Sequence, residues 1–149
     1  MEKKFSDLKF VRINNQGTSP EIIDMVFRQI PKKLFEQVKD VEFNIDLLYQ
    51  APSRFISNAN TMFYVLTNDT DIIKGILWAY VNILTEKIQV NILSIDKEYQ
   101  FSDAIEKTLE FIRSWQGENE NLKIQIVTIR TKAYEEAGFE KSKHILMEI

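Results

Sequence analysis

The stretch EYQFSDAIEKTLEF, residues 98–111, is the first pattern in this 149-residue chain with an evident chemical use. Apolar residues alternate with others up to Ile95, and from Ala104 onward they recur at helical spacing. Where a strand feeds the N-terminus of a helix, unpaired backbone N–H groups and the positive end of the helix dipole face outward, and an anion such as a phosphate fits there. This stretch holds no glycine to let a ligand approach the backbone closely. Asp103 stands three residues before Glu106, the spacing of a capping box, and Ser102 is the alternative N-cap. A cap of this kind occupies donors that a phosphate needs. A carboxylate ~4 Å from a phosphate oxygen also costs about 4 kcal/mol at an effective dielectric of ~20, more than the roughly 0.3–1 kcal/mol that one charge gains near a helix end.

Other reactive side chains are few. The chain has no cysteine and one histidine, so disulfides, thiolate nucleophiles and His or Cys metal clusters are excluded, and no metal is expected. His144 has no G-x-S-x-G elbow to serve and is expected to be a partly buried structural residue. Tyr134 is either a packing residue or a proton donor. Asp96 and Glu98 flank a strand end, where carboxylates are usually solvated. Trp78 and Tyr80, two residues apart on one strand, point the same way and line either a groove or the core. Gly75 marks a bulge or a close contact. Ser53 and Arg54 fall in a stretch of loop composition.

These residues must be positioned by a small set of elements. LKFVRI, residues 8–13, reads as a first strand. TSPE then starts a helix, with Thr18 or Ser19 as N-cap and Pro20 in the first turn, and Ile22, Ile23, Val26, Phe27 and Ile30 form its apolar face up to Pro31. Leu34, Val38, Val41, Ile45 and Leu48 continue at intervals of four and three, predicting a second buried helix face; VEFNI as a short strand is the alternative. Residues 51–60 have turn composition and predict a surface loop. TMFYVLT (61–67), IIKGILWAYVNIL (72–84) and KIQVNILSI (87–95) predict an antiparallel meander, with Ile88, Val90 and Ile92 on one buried face. A helix over 103–116 with Gly117 as its stop, a strand over 123–129, a short helix over 131–138 and a closing strand over 139–149 complete the order β-α-α-β-β-β-α-β-α-β. That order defines an α/β (α+β mixed sheet) fold with helices on both faces.

Bulk composition narrows the function classes. At 44% hydrophobic, the length suits one domain over 1–149 with its own core. The formal charge is −3 and basic residues are scattered, so no nucleic-acid partner is expected. No run approaches ~18 apolar residues and MEKKFSDLKF lacks an apolar h-region, so neither a membrane span nor a signal peptide is expected, and the location is expected to be cytoplasmic.

LSIDKEYQ followed by a helix, and AYEEAGFEKSKHILMEI at the C-terminal end, resemble the GNAT superfamily of acyl-CoA-dependent N-acyltransferases. That family carries V-x-P-E-Y-R/Q, then R/Q-x-x-G-x-G/A, then a helix. Leu93, Ile95, Glu98, Tyr99 and Gln100 fall on matching positions, Lys97 stands where proline is common, and Tyr134, Gly138 and Phe139 match Y-e-k-x-G-F. The resemblance covers most of residues 63–149; before that only the element order matches. It implies a GNAT-like fold and acetyl-CoA as co-substrate, held by Leu93, Ile95, Gln100, Phe101, Ser102, Asp103, Ala104 and Ile105. It also implies Tyr134 as the acid that protonates the leaving thiolate, and a small-molecule or peptide amine as acceptor. The chain departs from the motif at Asp103 and Ile105, which stand where small residues belong, and no Glu lies on the fourth strand to orient a base. A catalytically inactive protein of the same fold, acting as a binding or structural component, is the alternative reading.

Overall fold

The computed structural model describes residues 3–100, 103–116 and 122–149. A five-stranded sheet is built from β2 (Lys9–Arg12), β3 (Thr61–Thr67), β4 (Ile73–Asn82), β5 (Lys87–Ile95) and β7 (Lys123–Ile126), in that spatial order. Neighbours from β2 to β5 are antiparallel, and β7 joins β5 in parallel. Two short strands, β1 (Lys3–Lys4) and β6 (Tyr99–Gln100), pair in parallel and tie the N-terminal segment to the chain beyond β5. The helices are α1 (Pro20–Phe27), α2 (Lys33–Glu36), α3 (Ile45–Gln50), α4 (Pro52–Ile56), α5 (Ala104–Gln116) and α6 (Thr131–Glu136). Among the described residues no helix is long and apolar enough to cross a membrane.

The sheet separates two apolar layers. On one face α5 and the turn at Phe5–Asp7 cover Leu66, Leu77, Ala79, Ile88 and Val90. Phe10 stacks on Phe111 with ring centres 4.0 Å apart, and Tyr64 and Trp115 extend this cluster. On the other face α1 to α4 cover Phe63, Val65, Ile76 and Ile92, with Phe27 and Phe35 fully buried. Burial of a large apolar side chain contributes about 1.5–3 kcal/mol, so these rings dominate the attachment of short helices that would not persist alone. Trp78 lies between Phe43 and Phe63, at 6.0 and 5.4 Å, and is a core residue of this layer.

Local sequence explains most element boundaries. Ser19 caps α1 by accepting from the Ile22 N–H, and Pro20 occupies the first helical position. Gly138, at φ 100°, stops α6 in a backbone conformation that favours glycine. Gly75 is needed for a different reason. A Cβ there would stand 2.9 Å from the Ser94 carbonyl oxygen and 3.0 Å from Ile95 Cγ2, so β4 and β5 approach too closely for a side chain.

Several sequence expectations are corrected. The single helix face through Leu34, Val38, Val41, Ile45 and Leu48 is broken into α2 and α3, because Asn44 accepts from the Leu47 N–H and starts a new helix. VEFNI forms no strand either. The loop expected over 51–60 contains α4, which opens on Pro52 and buries Ile56 completely. Ile22, assigned to the buried face of α1, is half exposed. The closing strand over 139–149 is not formed: Phe139 packs edge-on against Tyr134, but Ile145, Leu146 and Met147 are exposed and find no sheet partner among the described residues. His144 is therefore exposed, in contact with Ser142, rather than partly buried.

Gly75→Ala should lower the unfolding free energy by about 1–3 kcal/mol, the usual cost of an overpacked site, as read from the urea midpoint at unchanged m-value.

Candidate active site

The geometry of the site begins with one irregularity. Trp78 pairs with Ile92 but Ala79 pairs with Val90, so Asn91 is an extra residue in β5, a β-bulge. Side chains change faces across it. Ile88 and Val90 belong to the α5 layer and Ile92 to the opposite one, after which Leu93 and Ile95 return to the α5 layer. The expectation that Ile88, Val90 and Ile92 share one face is corrected accordingly.

Pairing of β5 with β7 ends at Val90 and Ile126, just where the bulge begins, and the two parallel strands separate. The Asp96 N–H bonds the Lys74 carbonyl on the β4 side. By the two-residue period of a strand, Leu93 and Ile95 then turn their backbone groups to the open side. A cleft of about 400 Å³ lies there, lined among others by Gln37, Asp40, Leu93, Ile95, Tyr99 and Arg130. Two of the expected cofactor-binding residues, Leu93 and Ile95, thus meet at one cleft.

The open edge is partly occupied by the protein itself. The Gln37 amide donates to the Ile95 carbonyl at 2.5 Å and to the Ser94 hydroxyl at 2.6 Å, and Ser94 donates in turn to the Leu34 carbonyl at 2.7 Å. Across the cleft Asp40 meets Arg130, whose guanidinium lies 5.8 Å from the centre of the Tyr134 ring. Sequence reasoning missed both Gln37 and Asp40. No local pattern marks either residue, because Gln37 bonds Ile95 and Asp40 bonds Arg130 across long stretches of chain.

Tyr134 lies on α6 and is 4% exposed, and its hydroxyl has no hydrogen-bond partner among the described residues. Burial pushes its phenol above the ordinary value; Arg130 opposes the rise and Asp40 adds to it. The group is a phenol, not a phenolate, at neutral pH. The two carboxylates at the strand end are paired. Asp96 meets Lys33 at 2.7 Å, and Glu98 meets Lys74 and Lys3 at 2.5 and 2.8 Å. The Lys33 hydrogen bond holds Asp96 below the usual carboxylate range, and the two lysines do the same for Glu98, which makes both poor bases.

At the strand-to-helix junction Gln100 belongs to β6, and Phe101 and Ser102 lie outside the described residues. Asp103 accepts the Lys107 N–H through its carbonyl. Ala104 and Ile105 are buried at the first turn of α5 rather than open to a ligand through their side chains. Ser53 and Arg54 lie on α4, where the Ser53 N–H bonds Asp24 at 2.7 Å, and neither lines the cleft.

No protein-family model matches the sequence, and no curated protein does. Solved structures do resemble it. The aminoglycoside N-acetyltransferase AAC(6')-Iy, in complex with the bisubstrate analogue CoA-S-monomethyl-acetylneamine, aligns with a TM-score of 0.66 at 11% identity, over 95% of this chain and 97% of that one. The enzyme AAC(6')-Ih of Acinetobacter baumannii gives 0.65 at 12% identity, over 95% and 97%. The enzyme meta-AAC0020 from an uncultured soil metagenomic sample, in complex with trehalose, gives 0.62 at 17% identity, over 97% and 98%. The fold is a mixed α/β fold of the GNAT acetyltransferase type.

Two stability measurements probe the site directly. Tyr134→Phe removes a buried hydroxyl without a protein partner, so stability should hold level or rise by up to ~1 kcal/mol, while Tyr134→Ala should lose about 3–5 kcal/mol, both by urea unfolding. Asp96 contributes stability that is whole above its unfolded-state value and fades as pH falls through its depressed folded-state value. Asp96→Asn should therefore be less stable than the wild type at neutral pH, with the gap closing below about pH 4.

Proposed function

We propose that the protein is an acyl-CoA-dependent N-acyltransferase that moves an acetyl group from acetyl-CoA to a small-molecule or peptide amine by direct attack. The observation that carries this reading is the open edge of β5 at Leu93 and Ile95, opposite the start of the helix that holds a buried phenol with no hydrogen-bond partner among the described residues. A strand edge binds an extended, amide-bearing arm as it would bind another strand. Leu93 and Ile95 supply that edge, and a cleft of about 400 Å³ is wide enough for such an arm. The CoA-complexed and aminoglycoside-complexed neighbours of the same fold support the choice of cofactor and of an amine acceptor.

Acetyl-CoA, when bound, supplies an acyl group activated as a thioester. Tyr134, kept protonated by its burial, gives its proton to the departing sulfur as the new C–N bond forms and the C–S bond breaks. Asp96 and Glu98 stay in their lysine pairs, so the surplus proton of the amine passes to solvent. The junction of Gln100, Phe101, Ser102, Asp103, Ala104 and Ile105 holds the pyrophosphate in this reading, with Lys97, exposed at the cleft and without an ion pair among the described residues, as the nearby cation.

A second reading, a catalytically inactive binding component of the same fold, is favoured by one contact: the Gln37 amide already satisfies the Ile95 carbonyl that an incoming arm would use.

Calorimetric titration should show acetyl-CoA binding at millimolar concentration or below. Thiol release from acetyl-CoA in the presence of spermidine, aminoglycosides and short peptides should fall about 10²- to 10⁴-fold in Tyr134→Phe. Absence of binding by the wild type would sink the enzyme reading; binding without Tyr134-dependent turnover would favour the inactive one.

A further inference from the structure

The connection between α2 and α3 reaches both walls of the cleft. Gln37 bonds the β5 wall at Ile95 and Ser94, and Asp40, three residues later, bonds the opposite wall. The Asp40 side chain is 8% exposed and accepts three hydrogen bonds: from the Ile129 N–H at 2.9 Å, from the Thr128 hydroxyl at 3.3 Å and from an Arg130 guanidinium N–H at 3.2 Å. Thr128 Oγ1 also accepts from the Arg130 N–H at 2.9 Å. A carboxylate held by donors from three successive residues has little rotational freedom, and neither has the backbone that it grips.

That backbone is the entry to α6. Arg130 precedes the first helical residue, its carbonyl accepts from the Tyr134 N–H, and its guanidinium lies over the Tyr134 ring. Burial of the ring against Phe139 fixes the other side. The position of the phenol is thus set at one end by a residue 94 positions earlier in the chain, across the cleft.

We infer that Asp40 is a positioning residue for Tyr134: by gripping residues 128–130 it sets where the Tyr134 hydroxyl stands relative to the open edge of β5. The inference rests on the acyltransferase reading. Asp40 touches no reacting atom in it, and its effect is on the turnover step rather than on cofactor affinity. Asp40 differs in this from Leu93 and Ile95, whose backbone groups hold the arm itself.

The test is Asp40→Asn, which preserves shape and an acceptor for Ile129 but removes the charge that holds Arg130. Thiol release from acetyl-CoA with the amine that the wild type uses should show kcat down on the order of 10- to 100-fold, with KM for acetyl-CoA changed by less than ~3-fold. In protein labelled with 13C at tyrosine Cζ, the Tyr134 resonance, identified by its loss in Tyr134→Phe, should shift in Asp40→Asn. If Asp40→Asn does not fold, Thr128→Val removes one donor of the three and carries the same test, with a smaller fall in kcat. Unchanged kcat, or an unmoved Tyr134 resonance in a folded variant, overturns the inference while the acyltransferase reading stands. A wild type that binds no acetyl-CoA or releases no thiol overturns both.

Discussion

Because β5 carries one residue more than the β4 segment opposite it, its side chains exchange faces at Asn91 and its backbone leaves the path of β7 at the same point. Much else follows from that extra residue. Without it Ile92 and Ser94 would face α5 and Leu93 and Ile95 would face α2, inverting the two layers at the end of the strand. With it, Leu93 and Ile95 join the α5 core, Ser94 reaches Leu34, and an edge of backbone hydrogen-bonding groups stays unpaired by strand. An unpaired edge inside a protein is unfavourable unless something answers it. Here a side chain from a loop, Gln37, answers at Ile95.

The carboxylates at the end of β5 are held by cations from other elements. Glu98 joins the N-terminal segment to β4 through Lys3 and Lys74, and Asp96 joins the end of β5 to α2 through Lys33. These pairs brace the corner between β5 and α5 together with the short β1–β6 ladder. Their value in free energy is small where the partners are exposed. Their consequence for chemistry is larger: the carboxylates at the end of β5 are committed to lysines and Asp40 to Arg130, while the buried phenol of Tyr134 keeps its proton.

The sequence is most legible where one period governs an element. Strands β3 to β5 alternate, α5 repeats at three and four, and both were placed to within a few residues; Leu93 and Ile95 then fell at the cleft through their likeness to a known motif. Periodicity failed where two elements share a phase. Leu34, Val38, Val41, Ile45 and Leu48 keep helical spacing across a connection that is not helical, because α2 and α3 bury the same layer and the chain between them packs Val38 and Phe43 there as well. The bulge was hidden for a similar reason: Ile92 continues the alternation of Ile88 and Val90 in the sequence while lying on the other face in space. Gln37 and Asp40 were invisible because their partners are separated from them by 58 and about 90 residues, distances over which no local pattern carries information. The closing strand expected over 139–149 fails for another reason, since apolar residues such as Ile145, Leu146 and Met147 make no strand when no described neighbour pairs with them.

The two tryptophans of the chain fall on opposite sides of the sheet, Trp115 beside Tyr64 and Phe111 and Trp78 against Phe43. Phe43 belongs to the same connection that carries Gln37 and Asp40. Emission from Trp78 therefore reports on the packing of the cleft's bridging segment, while emission from Trp115 reports on the α5 layer. The molecule carries a built-in optical pair, one member sensitive to the roof of the cleft and the other a reference.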